Sequence, residues 1–300
     1  MKFFHVFLIG LLGWLSFGMG TAANAGSELA RRNGTLTVDG EVRQYLLYVP
    51  KSYRGDQPVP LVISIHGYGG SPSQQQKESG WNDLADQYGF IVVYPSGTGT
   101  PKHWRASGTE DSYKEIDFIS ALIDKLEADY SIDATRIYVN GHSNGGGMTF
   151  MLACTLSDRI AAAGAVSGGY LYPWQDCNPT RPVPLIAFHG TADPVVPYTG
   201  GPSRLFHYPF PDIPTFMARY AQSNGCQTTP QTLPAIQEVS GVEYTGCSQN
   251  ASVIFYTIDG GGHGWPGGRT RLPEFVVGKT TLSIDATQML WDFFTRYSLK

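Results

Sequence analysis

Ser143 stands in Gly141-His142-Ser143-Asn144-Gly145, directly after the apolar run Arg136 to Asn140 and just before a stretch with helical spacing. A serine that is to attack a carbonyl needs its oxygen exposed on a sharp strand-to-helix turn, with small flanking residues so that strand and helix can approach. Gly141 and Gly145 meet that need. Since 36 of the 300 residues are glycine, the bare pattern is weak, and its position between a strand and a helix is what gives it weight.

A serine hydroxyl is a poor nucleophile at neutral pH, so a base must take its proton and an acid must hold that base in the right tautomer. His263 follows the apolar run Val253 to Ile258 in Asp259-Gly260-Gly261-Gly262-His263-Gly264-Trp265. Asp193 follows Val183 to Phe188 in His189-Gly190-Thr191-Ala192-Asp193-Pro194, and Pro194 biases it toward an extended strand end. Asp259 is a rival acid, but it shares the loop of His263, so Asp193 on a separate strand end ranks above it. The negative oxygen of a tetrahedral intermediate also needs donors, each worth about 3 kcal/mol. The amides of Asn144 and of Tyr68, in His66-Gly67-Tyr68-Gly69-Gly70 after the run Pro60 to Ile65, are the expected pair. Trp104 and Trp265 are candidates to flank the substrate, while His66, His142 and His189 read as hydrogen-bonded supports.

No histidine and carboxylate pair shows zinc spacing. Gly278-Lys279-Thr280 lacks the first glycine of a phosphate loop, because Pro273 stands there. Neither a metal nor an organic cofactor is therefore expected.

The residues that could do chemistry all follow short apolar runs, and those runs predict the fold. Residues 35 to 49 alternate around Asp39-Gly40 and read as an antiparallel hairpin with a two-residue turn. Pro60 to Ile65, Phe90 to Tyr94, Arg136 to Asn140, Ala161 to Val166, Val183 to Phe188 and Val253 to Ile258 look like strands covered on both faces. Helical spacing occupies 75 to 88, Ile116 to Tyr130, Gly145 to Leu156 and Ile284 to Tyr297. This alternation predicts an α/β, mostly parallel, doubly wound sheet behind an antiparallel N-terminal hairpin, with ligands at the carboxyl ends of the strands.

Lys2, the apolar stretch Phe3 to Met19 and the small-residue run ending at Ala25 read as an export leader cleaved before Gly26. Residues 26–300 are then expected to form a single catalytic domain, since no repeat or linker divides them. A net charge of -4 and 15% charged residues offer no footprint for nucleic acid or an anionic membrane. The expected partner is a neutral ester substrate met by a monomer in an extracellular or periplasmic space. Aromatic residues at 13% suit sugar or polyester surfaces, although most are ordinary core residues. Four cysteines allow three pairings, and the short-loop choices are Cys154 with Cys177 and Cys226 with Cys247.

Taken together, HGYGG, GHSNGG, HGTADPVVPY and GGGHGWPGG, in this order, resemble the secreted esterase family of polyhydroxybutyrate depolymerases, feruloyl esterases and acetylxylan esterases. GWNDLADQYGFIVVYP over residues 80 to 95 is similar to that family's first helix and following strand. The resemblance implies the α/β-hydrolase fold, nucleophile Ser143, acid Asp193, base His263, oxyanion amides at Tyr68 and Asn144, and disulfides at the four cysteines. It implies feruloyl or acetyl esters of plant polysaccharide as first substrate and polyester chains as second. A hydrolase-fold protein that binds carbohydrate without catalysis would have a broken triad, and a peptidase of this fold commonly carries a large gating domain. Neither feature is visible.

Overall fold

The computed structural model describes residues 31–203, 205–206, 208–269 and 272–300, so the leader expected over residues 1–25 lies outside it. The chain opens with β1 (Arg31–Val38) and β2 (Glu41–Tyr48), antiparallel across Asp39 and Gly40. Both turn residues have positive φ, 51° and 75°, as a twist-matched two-residue hairpin requires. Then follow β3 (Val59–Ile65), α1 (Pro72–Ser79), α2 (Trp81–Tyr88), β4 (Ile91–Pro95), α3 (Tyr113–Asp129), β5 (Ile132–His142), α4 (Asn144–Thr155), β6 (Ala162–Val166) and β7 (Leu185–Gly190). The last part comprises β8 (Gly201–Pro202), β9 (Pro209–Phe210), α5 (Ile213–Ser223), β10 (Gln231–Ile236), β11 (Val239–Tyr244), β12 (Val253–Ile258), α6 (Glu274–Val277) and α7 (Ala286–Phe294).

Ten strands form one sheet in the order β1-β2-β4-β3-β5-β6-β7-β12-β11-β10. The central block from β4 to β12 is parallel, and antiparallel pairs flank it on both sides. The chain steps from β3 outward to β4 and then back across β3 to β5. Strand order therefore reverses between β3 and β5, the place where a doubly wound sheet opens a crevice beyond its strand ends.

Alternation along the strands fills two cores. Leu61, Ile63 and Ile65 pack with Phe118 and Leu122 of α3, Met148 and Met151 of α4, and Phe216 and Met217 of α5. On the other face Val62 and Val92 pack with Trp81 of α2 and with Leu290, Trp291 and Phe294 of α7. Each fully buried side chain of this size contributes about 2 kcal/mol.

Four departures from the sequence reading have physical causes. The helix expected over 75 to 88 is two helices, because Gly80 takes φ 69° and ends α1 while capping α2. The short strands β8 and β9 and the hairpin β10-β11 were not anticipated, since their sequences alternate weakly, and the helix α5 was not anticipated although Ile213, Phe216, Met217, Tyr220 and Ala221 are spaced for one apolar face. The second edge of the sheet is β10. Trp265 is fully buried and donates its indole N–H to Thr287 Oγ1 at 2.9 Å, so it belongs to the core and not to a substrate surface.

Both disulfides form, Cys154 with Cys177 and Cys226 with Cys247. The first ties the C-terminal turn of α4 to the loop before β7, and the second ties the chain after α5 to the chain after β11. Each closes a loop of a length that restricts the unfolded chain by about 3 kcal/mol.

Candidate active site

The elbow at Ser143 is built from close backbone approaches. A methyl group on Gly141 would run into the carbonyl of Gly145, and one on Gly145 would meet the carbonyls of Ile65 and His66. With those positions bare, α4 starts directly over the end of β5 and Ser143 takes φ 56° and ψ -118°. A serine held at positive φ is strained by about 1–3 kcal/mol and persists only where its surroundings impose it. Its N–H donates to Val166 at 2.9 Å, and its carbonyl accepts from Gly147 and Gly169.

Asp193 and His263 come from β7 and β12, adjacent parallel strands. His263 Nδ1 lies 2.7 Å from Asp193 Oδ2, with Asp193 6% exposed and His263 5% exposed. The other carboxylate oxygen, Asp193 Oδ1, accepts N–H bonds from Val195 at 2.8 Å and Val196 at 2.9 Å. Burial alone would raise this carboxyl. The neighbouring His263 charge and the hydrogen bonds from His189 and His263 outweigh it and hold Asp193 well below the usual carboxylate range. Asp259 instead accepts from Thr191 Oγ1, away from the imidazole.

The loop that carries His263 is pinned by the N–H of Gly262 on the Lys279 carbonyl and that of His263 on the Val277 carbonyl. His142 Nε2 donates to the carbonyl of His263 at 2.6 Å, so the residue before Ser143 also holds His263 in place. Burial lowers the pKa of His142, against the pull of Glu78, whose Oε2 lies 3.8 Å from its Nδ1. Ser143 and His263 line one cavity of about 120 Å³ together with Gly67, Tyr68, His142 and Glu78. No direct hydrogen bond joins the Ser143 hydroxyl to His263 among the described residues. Such contacts tighten when substrate arrives.

Tyr68 and Asn144 line a cavity together with Ser143. Asn144 is the first residue of α4, where a helix has no internal acceptor for its N–H. The Tyr68 loop is fixed by the Gly69 N–H on the Lys102 carbonyl and the Gly70 N–H on the Gly67 carbonyl. The Asn144 side chain is spent elsewhere: its Oδ1 accepts the Trp104 N–H at 2.7 Å and its Nδ2 donates to the Trp104 carbonyl at 3.1 Å. Trp104 itself is 2% exposed and gives its indole N–H to the His66 carbonyl. Behind it, the buried pair Arg43 and Glu115 joins at 2.6 Å, with Arg105 on the same carboxylate. Trp104 is thus a strut between loops and presents no face to the cavity. The expectation that Trp104 and Trp265 flank substrate fails because both indoles fit between packed elements.

Apart from Tyr68, named for its amide, the aromatic residues that do line the site were missed. Tyr68, Phe206, Tyr208 and Phe210 surround a smaller cavity that also contains Ser143 and Asn144. Their signal in the sequence is the cluster Phe206 to Phe210, which lies in a loop with no periodicity to place it.

Residues 43–174 match the family model described as "Esterase PHB depolymerase". An Aspergillus oryzae protein described as "Probable feruloyl esterase C" is 31% identical over 84% of this chain and 83% of its own length. The "Bifunctional acetylxylan esterase/xylanase XynS20E" of Neocallimastix patriciarum is 29% identical over 84% of this chain, which spans only 35% of that protein. Among solved structures, the acetyl xylan esterase of Aspergillus awamori superimposes with a TM-score of 0.60 at 19% identity, covering 88% of this chain and 99% of its own, a likeness of fold. With the parallel sheet, the elbow and the buried acid–imidazole pair already in place, the chain belongs to the α/β-hydrolase esterase family of polyhydroxybutyrate depolymerases, feruloyl esterases and acetylxylan esterases.

Proposed function

We propose that the chain is an exported serine esterase that removes feruloyl or acetyl groups from plant polysaccharide through an acyl-enzyme. The observation that carries this reading is the buried Asp193–His263 pair opening onto the same cavity as the strained Ser143. His263 takes the proton of the Ser143 hydroxyl as Oγ attacks the ester carbonyl carbon. Charge moves to the carbonyl oxygen, where the N–H groups of Tyr68 and Asn144 stabilise it. His263 then gives the proton to the departing alcohol, leaving an acyl group on Ser143. Water enters by the reverse sequence, with His263 again as base and Ser143 as the final leaving group.

Substrate class is supported by the relatives, whose names specify feruloyl and acetylxylan esters. Export is supported by the leader read over residues 1–25 and by two disulfides, which persist in oxidising compartments. No helix among the described residues is long and apolar enough to cross a membrane. Residues 26–300 form the mature catalytic domain in this reading and act as a monomer.

The family match also favours a second substrate, short 3-hydroxybutyrate chains. Assays of methyl ferulate, acetylated xylan and 3-hydroxybutyrate oligomers side by side distinguish the two. Ser143→Ala is expected to lower kcat on p-nitrophenyl acetate by about 10⁵-fold or more with little change in melting temperature. Retention of most of the turnover by that variant rejects the nucleophile.

A further inference from the structure

Two cavities meet at Ser143, and they differ in size and in which of them His263 borders. The larger, about 120 Å³, contains His263 and His142, is bordered by Gln75 and Glu78 of α1, and is otherwise walled mainly by apolar residues such as Val195, Phe206 and Val276. Gln75 is 1% exposed, and its Oε1 has no partner among the described residues. Gln74 and Glu78 are shared with a polar cleft of about 940 Å³ that continues along α1. The smaller cavity, about 30 Å³, includes Asn144 but not His263, and its walls are apolar and aromatic.

Proton transfer fixes which side is which. The leaving alcohol must sit where its oxygen can receive a proton from His263, so it occupies the larger cavity, which His263 borders. A sugar alcohol there meets the rings of Tyr68 and Phe206, and beyond Gln74 and Glu78 it can continue into the cleft along α1. The acyl carbon chain extends in the remaining direction from the carbonyl, past the Asn144 amide and into the smaller cavity.

We propose that this smaller cavity is the acyl subsite, that it takes an acyl group of about acetyl size, and that Phe206 and Tyr208 set its limit. This rests on the reading of Ser143 as nucleophile. One water needs roughly 10–15 Å³ on the same measure, so about 30 Å³ admits two or three groups of that size, a methyl and little more. The rings that close it brace one another. Phe206 and Tyr208 are 5.4 Å apart, Tyr208 and Phe210 are 5.2 Å apart, and Phe206 meets Tyr68 edge-on at 5.5 Å. The back wall includes Gly169, whose N–H bonds the Ser143 carbonyl and where any side chain would meet the Phe210 ring, so it cannot retreat without moving the nucleophile.

The test is a series of p-nitrophenyl esters with one leaving group and a changing acyl part: acetate, propionate, butyrate, hexanoate and ferulate. For the unmodified enzyme, kcat/KM is expected to fall at least tenfold from acetate to hexanoate, with ferulate no better than hexanoate. In Phe206→Ala and Tyr208→Ala the ratio of hexanoate to acetate is expected to rise at least threefold, a readout independent of how much of each variant folds. A flat or rising profile in the unmodified enzyme overturns the subsite, as does a ratio unchanged in both variants. Should either variant not fold, the unmodified profile still decides. An enzyme that turns over none of these esters rejects Ser143 as nucleophile and the subsite with it.

Discussion

The ends of β3 and β12 each deliver a histidine to the same rim of the sheet, and their surroundings give them opposite properties. His66 is 1% exposed, and backbone groups occupy both of its ring nitrogens: Nδ1 donates to the Gly67 carbonyl at 2.7 Å and Nε2 accepts the Gly97 N–H at 3.0 Å. Burial pushes its pKa down to about 4, with a smaller contribution from Lys102 in the same direction. That ring is locked neutral. His263 has one nitrogen on a carboxylate, and its ring borders an open cavity. What fits an imidazole for proton transfer is therefore an anionic partner on one nitrogen and freedom at the other, and not its place at a strand end.

Three substitutions probe this contrast. The largest effect is expected from Asp193→Asn, which keeps the shape but removes the anion that holds the His263 tautomer. A loss of about 10⁴-fold in kcat on p-nitrophenyl acetate is expected. Activity above a tenth of the unmodified level would mean that another acid, such as Asp259, holds the base. Next comes His142→Phe, which removes the donor on the His263 carbonyl while keeping a ring of similar bulk. Because His142 holds the His263 carbonyl, kcat is expected to fall about 10-fold to 100-fold, a larger factor than any change in KM from its place in the cavity wall. A large drop in melting temperature with kcat of the folded fraction unchanged would reduce it to a packing residue.

The smallest effect on turnover is expected from His66→Gln, whose readout is stability against pH. The folded pKa of His66, about 4, lies below the ordinary 6.5, so between these values the unfolded chain binds a proton that the folded chain refuses. Stability is therefore lost as pH falls from about 6.5 to about 4, by up to about 3 kcal/mol from this residue. Urea unfolding at pH 7 and pH 4.5 should show a smaller acid-induced drop in the variant. Equal drops in the two proteins would show that His66 can be protonated in place.

Much of the strand-end chemistry was legible because it follows from continuous apolar runs broken by glycine-rich turns. Each of Ser143, Asp193 and His263 stands just past such a run, and period alone locates the run's end. The conformation of single side chains was not legible. Trp104 and Trp265 sit near strand ends too, yet their indoles turn inward to meet a carbonyl and a hydroxyl, contacts contributed by residues 38 positions upstream and 22 downstream. Gly80 was read through because Gln75 to Glu78 before it and the segment from Trp81 after it both favour helix, while its left-handed φ divides the two. The aromatic group at Phe206 to Phe210 has no neighbour in sequence that fixes its direction. Its place depends on Tyr68, more than a hundred residues earlier.

The arm between β7 and α5 leaves and rejoins the body through two residue pairs, Gly201 with Phe210 and Pro202 with Pro209. Nothing in the sheet or in the elbow depends on how many residues lie between those pairs. The arm is in that sense an exchangeable cassette: a longer or less aromatic insert between Pro202 and Pro209 would remodel one wall of the reaction chamber while the machinery on β5, β7 and β12 stayed in register. Grafting at those two prolines is accordingly a route to redesigning which acids this scaffold releases.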